Sequence, residues 1–350
     1  MAKQAYSTLA CLAALATMTL GVGCGVTHMQ PTNTPTNPVG NASGVASGPM
    51  LDSWWDSGSK GLRVVYGIPG AAHQGALVYN DGTYSGAAVC MRRNIVLLQS
   101  SAGKLFQAEL PQRVPVPIDG ITLLKPLVIF SPSCSSALAF SGSSGAAILI
   151  QGIDSTPRTL NVALPEGNSV LAVSDAGSFL LSSIGSDGSS LIQFLPSGSS
   201  ALKPVTTLSK PGGSTFLPGS DAALIADVGA STIVEASQVG GALSLTRIAG
   251  PSDGVNKPLA VGVSADGRTA VVANGTGSGI VRIDLSGQTA AVKTVCRCAP
   301  SELVPQAGNL SFRLNDAEMG TVWSFDGDGS TPRIVFVPSE PMIASKGAHR

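Results

Sequence analysis

The chain of 350 residues carries 21 basic and 21 acidic side chains, for a formal net charge of zero, and charged residues make up 12% of it. That share is about half of what soluble domains usually carry. The absence of a basic stripe argues against nucleic acid as a partner, and the length is ample for one domain with a sizeable core.

The first segment reads as an address. Lys3 is the only charged residue among the first fifty, and Leu9–Leu20 is an uncharged apolar run followed by Gly21, Val22, Gly23 and Cys24. A run this short does not span a bilayer and has the proportions of a signal peptide, which is assigned to residues 1–23. The segment from Gly21 to Cys24 resembles the lipobox of bacterial lipoproteins. In that family the cysteine after a small residue is lipidated, which implies lipidation of Cys24 in this chain. Gly21 stands where the family prefers an aliphatic residue, so cleavage to a free secreted protein is the alternative.

Residues 24–53 are expected to be a flexible tether. The stretch 25–50 has no charged side chain and is rich in Pro, Thr, Asn, Gly and Ser, so little apolar surface offsets its ordering entropy. Together these features predict an exported protein of a bacterial cell envelope that touches the membrane through a lipid anchor only.

Beyond the tether the chain repeats itself. Apolar runs that end in small or polar residues recur at Leu97–Ser101, Leu138–Gly142, Leu180–Ile184, Leu224–Val228, Val271–Gly275 and Phe312–Asp316. Their starting points lie 41, 42, 44, 47 and 41 residues apart. The third copy predicts strands at Val170–Ser174, Ser178–Ser183 and Leu191–Leu195, with a turn at Asp175–Gly177. The fifth predicts strands at Leu259–Ser264, Thr269–Asn274, Ile280–Leu285 and Ala290–Val295, with a tight turn at Asp266–Gly267. Asp-Gly suits such turns because glycine reaches positive φ without a steric penalty. Four short strands per unit of about forty residues, repeated, indicate an all-β propeller of four-stranded antiparallel blades.

The phrase LAVGVSADGRTAVVANGTGSGIVRIDL, residues 259–285, resembles the YVTN-type and lactonase-like propeller repeats of bacteria. The resemblance covers residues 85–338 as a decayed pattern and implies the fold more strongly than any activity. Six blades are favoured within a single domain at 54–338, followed by a tail at 339–350. In that arrangement Leu62–Gly70, which resembles the outer strand and exit of the fourth repeat, joins the last blade and closes the ring. Seven blades is the alternative, with residues 54–84 building a blade together with the C-terminal strand.

No catalytic, cofactor-binding or metal-ligating set emerges. The three histidines, His28, His73 and His349, lie far apart, so a Ser-His-Asp triad or a His-rich metal site would rest on His73 alone. Asp326, Asp328 and Ser330 alternate like calcium-loop ligands but fall where the repeat needs a turn between third and fourth strands. Asp175, Asp187 and Asp266 read as turn formers, and Arg92-Arg93 as a solvated turn. Four cysteines remain in the body, Cys90, Cys134, Cys296 and Cys298, and an oxidising compartment permits three pairings. Cys90 ends the first strand of the first repeat and Cys134 lies in the matching turn of the next, so the pairing Cys90–Cys134 with Cys296–Cys298 is predicted. The expected role is a monomeric binding or scaffolding module for a protein or a cell-wall or polysaccharide ligand, with no cofactor. The alternative is a lactonase-like or other small-molecule hydrolase acting at the central channel.

Overall fold

The computed structural model describes residues 48–338, apart from 112, 142–145, 240–241, 276–278, 297 and 330. The signal peptide, Cys24, His28, most of the tether, Ser330, His349 and the tail lie outside the described residues.

Seven antiparallel sheets follow one another along the chain. Six of them have four strands in sequential order. They are blades 2 to 7, and their first strands are Tyr84–Cys90, Leu127–Phe130, Asn168–Val173, Pro211–Phe216, Pro258–Val263 and Val304–Pro305. The other, blade 1, has only three: Met50–Asp56, Gly61–Ile68 and Ala71–Val78. The turns after the inner strands of blades 4 and 6 are held by Gly177 and Gly267, at φ 84° and 73°, as the Asp-Gly reading requires.

Each seam between neighbouring blades holds one hydrophobic cluster, seven in all among the described residues. Strand alternation builds them. In the second strand of blade 3, Ser136–Phe140, the side chains of Ala137 and Ala139 pack with Leu97 and Leu105 of blade 2. Leu138 points the other way and packs with Val173 and Leu181 of blade 4. A strand buried on both faces reads as a continuous apolar run rather than an alternating one, and for this reason the second strands stood out as the repeat. A fully buried leucine in such a strand contributes about 1.5–3 kcal/mol.

The blade count therefore differs from the favoured six. Leu62–Ile68 does not join the last blade. It lies in the middle of blade 1, a separate sheet, while blade 7 ends with its own fourth strand, Arg333–Val337. Blade 1 is a truncated copy of the repeat, with three strands instead of four. Its first strand lies against blade 7: Asp52 is bonded to Arg313 of the second strand, Ser311–Arg313, and Ser57, just past the end of the first strand, to Glu318 in the short helical turn Ala317–Met319. It also shares the buried character of second strands, with Leu51, Asp52, Ser53 and Trp54 all buried. Met50–Asp56 is thus a second-position strand, and blade 1 lacks the inner one. The strand starts inside the segment read as tether, because its burial depends on blade 7, a partner more than 250 residues away.

Blades 7 and 1 meet through polar contacts as well as apolar ones. Arg313 donates from Nη1 to both carboxylate oxygens of Asp52, each at 3.2 Å. Gln306 donates to Asp52 Oδ2 at 2.9 Å and to Ser324 Oγ at 3.0 Å. The Ala307 N–H donates to the Leu51 carbonyl at 2.9 Å. Farther out, Gln74 donates to the Pro338 carbonyl and Arg333 to that of Pro69.

Candidate functional site

The turns that join inner to second strands lie at one end of the propeller, and they are stitched to each other. In blade 4, Asp175 accepts from the Ser133 N–H of blade 3 at 2.9 Å and from the Gly219 N–H of blade 5 at 2.8 Å. In blade 6, Asp266 donates its N–H to Asn309 Oδ1 of blade 7 at 2.9 Å, and Asn309 Nδ2 donates back to Asp266 Oδ2 at 3.2 Å. Ser264 Oγ and the Arg268 N–H also donate to Asp266 Oδ1. Both aspartates are turn formers, as expected, and each also fastens its blade to a neighbour.

Burial raises the pKa of Asp175, but donors from Gly219, Ser131 and Ser133 outweigh it and hold the carboxyl below the usual carboxylate range. A lowered folded-state pKa adds stability above the unfolded value of about 3.9, and that stability is lost as pH falls through the folded value. Asp175→Asn is therefore expected to lower the urea midpoint at pH 7, with the gap to wild type closing below about pH 4. A gap of the same size at both pH values would contradict this account.

Behind the turns, the inner strands of blades 2 to 7 line a central channel of about 240 Å³. Its walls are mostly apolar, including Ile129, Phe130, Leu171, Phe216, Val261 and Leu303. Blade 1 contributes nothing to this lining, consistent with its missing inner strand. At the mouth, a second space of about 470 Å³ opens among blades 1, 2, 6 and 7. Arg92 lines both cavities and, among the described residues, is the only charged side chain in either lining.

Arg92 is the feature that sequence reasoning missed, since the pair Arg92-Arg93 was expected to be solvated. Arg93 is exposed and reaches the Ser133 carbonyl and Asp154. Arg92 instead turns inward, donating from Nη1 to the Pro132 carbonyl at 2.7 Å and from Nη2 to the Val263 carbonyl. It spans from blade 2 to blade 3 and across the channel to blade 6. Burial pushes its pKa down to about 10, while Asp175 and Asp266 oppose the shift. The side chain therefore remains a cation at neutral pH, and among the described residues it has no carboxylate in ion-pair contact. Nothing in the local sequence distinguishes Arg92 from Arg93; only the position of the axis does.

The remaining sequence candidates do not converge. Asp326 is the last residue of the third strand of blade 7 rather than of the turn and accepts from Arg333 Nε at 2.9 Å, whereas Asp328, in the turn that follows, accepts from the Leu310 N–H at 2.8 Å. Asp187 accepts from Ser189 within its own turn. His73 stands in the third strand of blade 1, with its ring 6.1 Å from that of Tyr66. Among the described residues, no three His, Cys, Asp or Glu side chains gather as a metal site requires. Cys90 and Cys134 are joined, with Cα atoms 6.1 Å apart, fastening blade 2 to blade 3 beside Arg92. Cys296 is buried after the last strand of blade 6, and its Cα lies 5.2 Å from that of Cys298, within reach of a disulfide.

No protein-family model matches the chain, and neither does any curated protein. Among solved structures it is similar to a functionally unknown protein from Desulfotomaculum acetoxidans DSM 771. The TM-score is 0.52 at 15% identity, covering 83% of this chain and 99% of that one. A virginiamycin B lyase from Staphylococcus aureus aligns with a TM-score of 0.48 at 13% identity, over 75% of this chain and 86% of that one. A streptogramin B lyase aligns at 0.45 and 14% identity, over 83% and 88%. The first likeness concerns the fold alone.

Proposed function

We propose that this chain is an exported, lipid-anchored, YVTN-like propeller that binds a ligand at the channel mouth without transforming it. The observation that carries this reading is the pairing of an apolar channel with one inward-facing cation, Arg92. A rigid ring that displays its turns at one end is a common way to present a recognition surface. A hydrolytic site would need convergent carboxylates or a metal, whereas Asp175 and Asp266 spend their oxygens on neighbouring turns. The signal peptide, the acyl group on Cys24 and the uncharged spacer would hold the propeller away from the membrane as a monomer. A Cys296–Cys298 bridge would accompany Cys90–Cys134 in that oxidising compartment.

A panel of muropeptides, oligosaccharides and short peptides, screened by thermal shift with mass analysis of the recovered ligand, tests the reading. Ligands that raise the melting temperature are expected back unaltered. A panel member recovered in hydrolysed form would overturn the binding role in favour of the hydrolase. Labelling with a palmitate analogue tests the anchor, and Cys24→Ala is expected to abolish the label.

A further inference from the structure

Blade 1 lacks an inner strand, and the cleft at the mouth opens on that side of the ring. Its walls combine Met50 and Tyr66 of blade 1 with Met91 and Pro111 of blade 2, giving an apolar enclosure. Its polar contributions include Arg92 and Asn94. The volume of about 470 Å³ falls in the range of small-molecule sites, about 300–1,000 Å³. A guanidinium has five N–H donors in a planar fork, and Arg92 commits two of them to the carbonyls of Pro132 and Val263. The others have no hydrogen-bond partner among the described residues, and the side chain is only partly exposed. An under-used cation, partly withdrawn from solvent beside an apolar enclosure, suits an anionic group on an apolar body.

Resting on the binding role above, we propose that this cleft takes a ligand bearing one carboxylate on an apolar body, with Arg92 binding the carboxylate and Met50, Tyr66, Met91 and Pro111 holding the rest. A single negative charge fits better than a dianion. The fields of Asp175 and Asp266 already act on Arg92, so a second charge on the ligand would meet repulsion without a second cation. The carboxylate could belong to an N-acylated amino acid or to the C-terminus of a peptide, which share this chemistry.

Calorimetric titration of the full chain with N-acetyl-leucine, N-acetyl-leucinamide, a tripeptide ending in leucine and inorganic phosphate tests the assignment. At least one of the two carboxylates is expected to bind tenfold or more tightly than the amide, with the tighter one identifying the source. Arg92→Gln is expected to reduce that affinity to the level of the amide. Ala265→Phe narrows the cleft wall while leaving Arg92 in place, and is expected to abolish binding even if Arg92→Gln fails to fold. Equal binding of acid and amide, no binding at millimolar concentration, or phosphate competing as well as the acids would overturn the carboxylate assignment. Those results leave the wider binding role standing, which fails instead if N-acetyl-leucine is returned hydrolysed.

Discussion

Asp52→Ala is expected to destabilise the propeller by about 3–5 kcal/mol, the cost of stranding a buried charge. Asp52 is fully buried, and its carboxylate accepts from Arg313, from Gln306 and from the Ser53 N–H. Burial would lower the pKa of Arg313, yet Asp52 and Glu302 hold it above its ordinary value. Without Asp52, the guanidinium keeps the partly exposed Glu302 and the ring of Trp54, whose centroid lies 5.9 Å away. Neither replaces a buried bidentate partner. The seam opens where blade 1 meets blade 7, so amide exchange is expected to accelerate first over Met50–Val78. Chemical denaturation of Asp52→Ala gives the magnitude. The double variant Asp52→Leu/Arg313→Met, which removes both charges, is expected to recover part of the loss. A loss below about 1 kcal/mol in Asp52→Ala would show that this contact does not hold the ring closed.

Removing the Cys90–Cys134 bridge is expected to cost a similar amount for a different reason. The bridge spans 44 residues, and the loop-closure entropy it takes from the unfolded chain corresponds to about 4 kcal/mol. The variant Cys90→Ala/Cys134→Ala is expected to unfold at lower denaturant by that margin, and the difference should vanish when wild type is fully reduced. Equal stability of the oxidised wild type and the variant would contradict the bridge. The same variant is expected to loosen Arg92, because Cys90 and Cys134 fasten the two turns that supply its side chain and its Pro132 carbonyl acceptor.

Much of the propeller could be read from short-range chemistry. Val271, Val272 and Ala273 lie on a strand whose two faces enter different seams, so an unbroken apolar run marked each second strand. Asp175–Gly177 and Asp266–Gly267 marked turns because positive φ restricts the residue choice locally. Blade 1 was less visible. Its first strand places Asp52 and Ser53 in the interior, and polar residues there are tolerable only beside Arg313, which donates to the carboxylate, and Arg63, whose carbonyl accepts from the Ser53 hydroxyl. No local window of sequence contains both Asp52 and Arg313, which lie 261 positions apart.

The order of strands, the turns between them and the pairing of Cys90 with Cys134 follow from residues within one or two repeats of each other, where spacing alone constrains geometry. The blade count, the closure of blade 1 on blade 7 and the inward turn of Arg92 depend on contacts between residues far apart in the chain. Arg92 and Arg93 have the same chemistry, and only the assembled ring sets one beside the axis and the other in solvent. The candidate site is therefore a product of tertiary structure, since desolvation and the carbonyls of blades 3 and 6 give Arg92 its character.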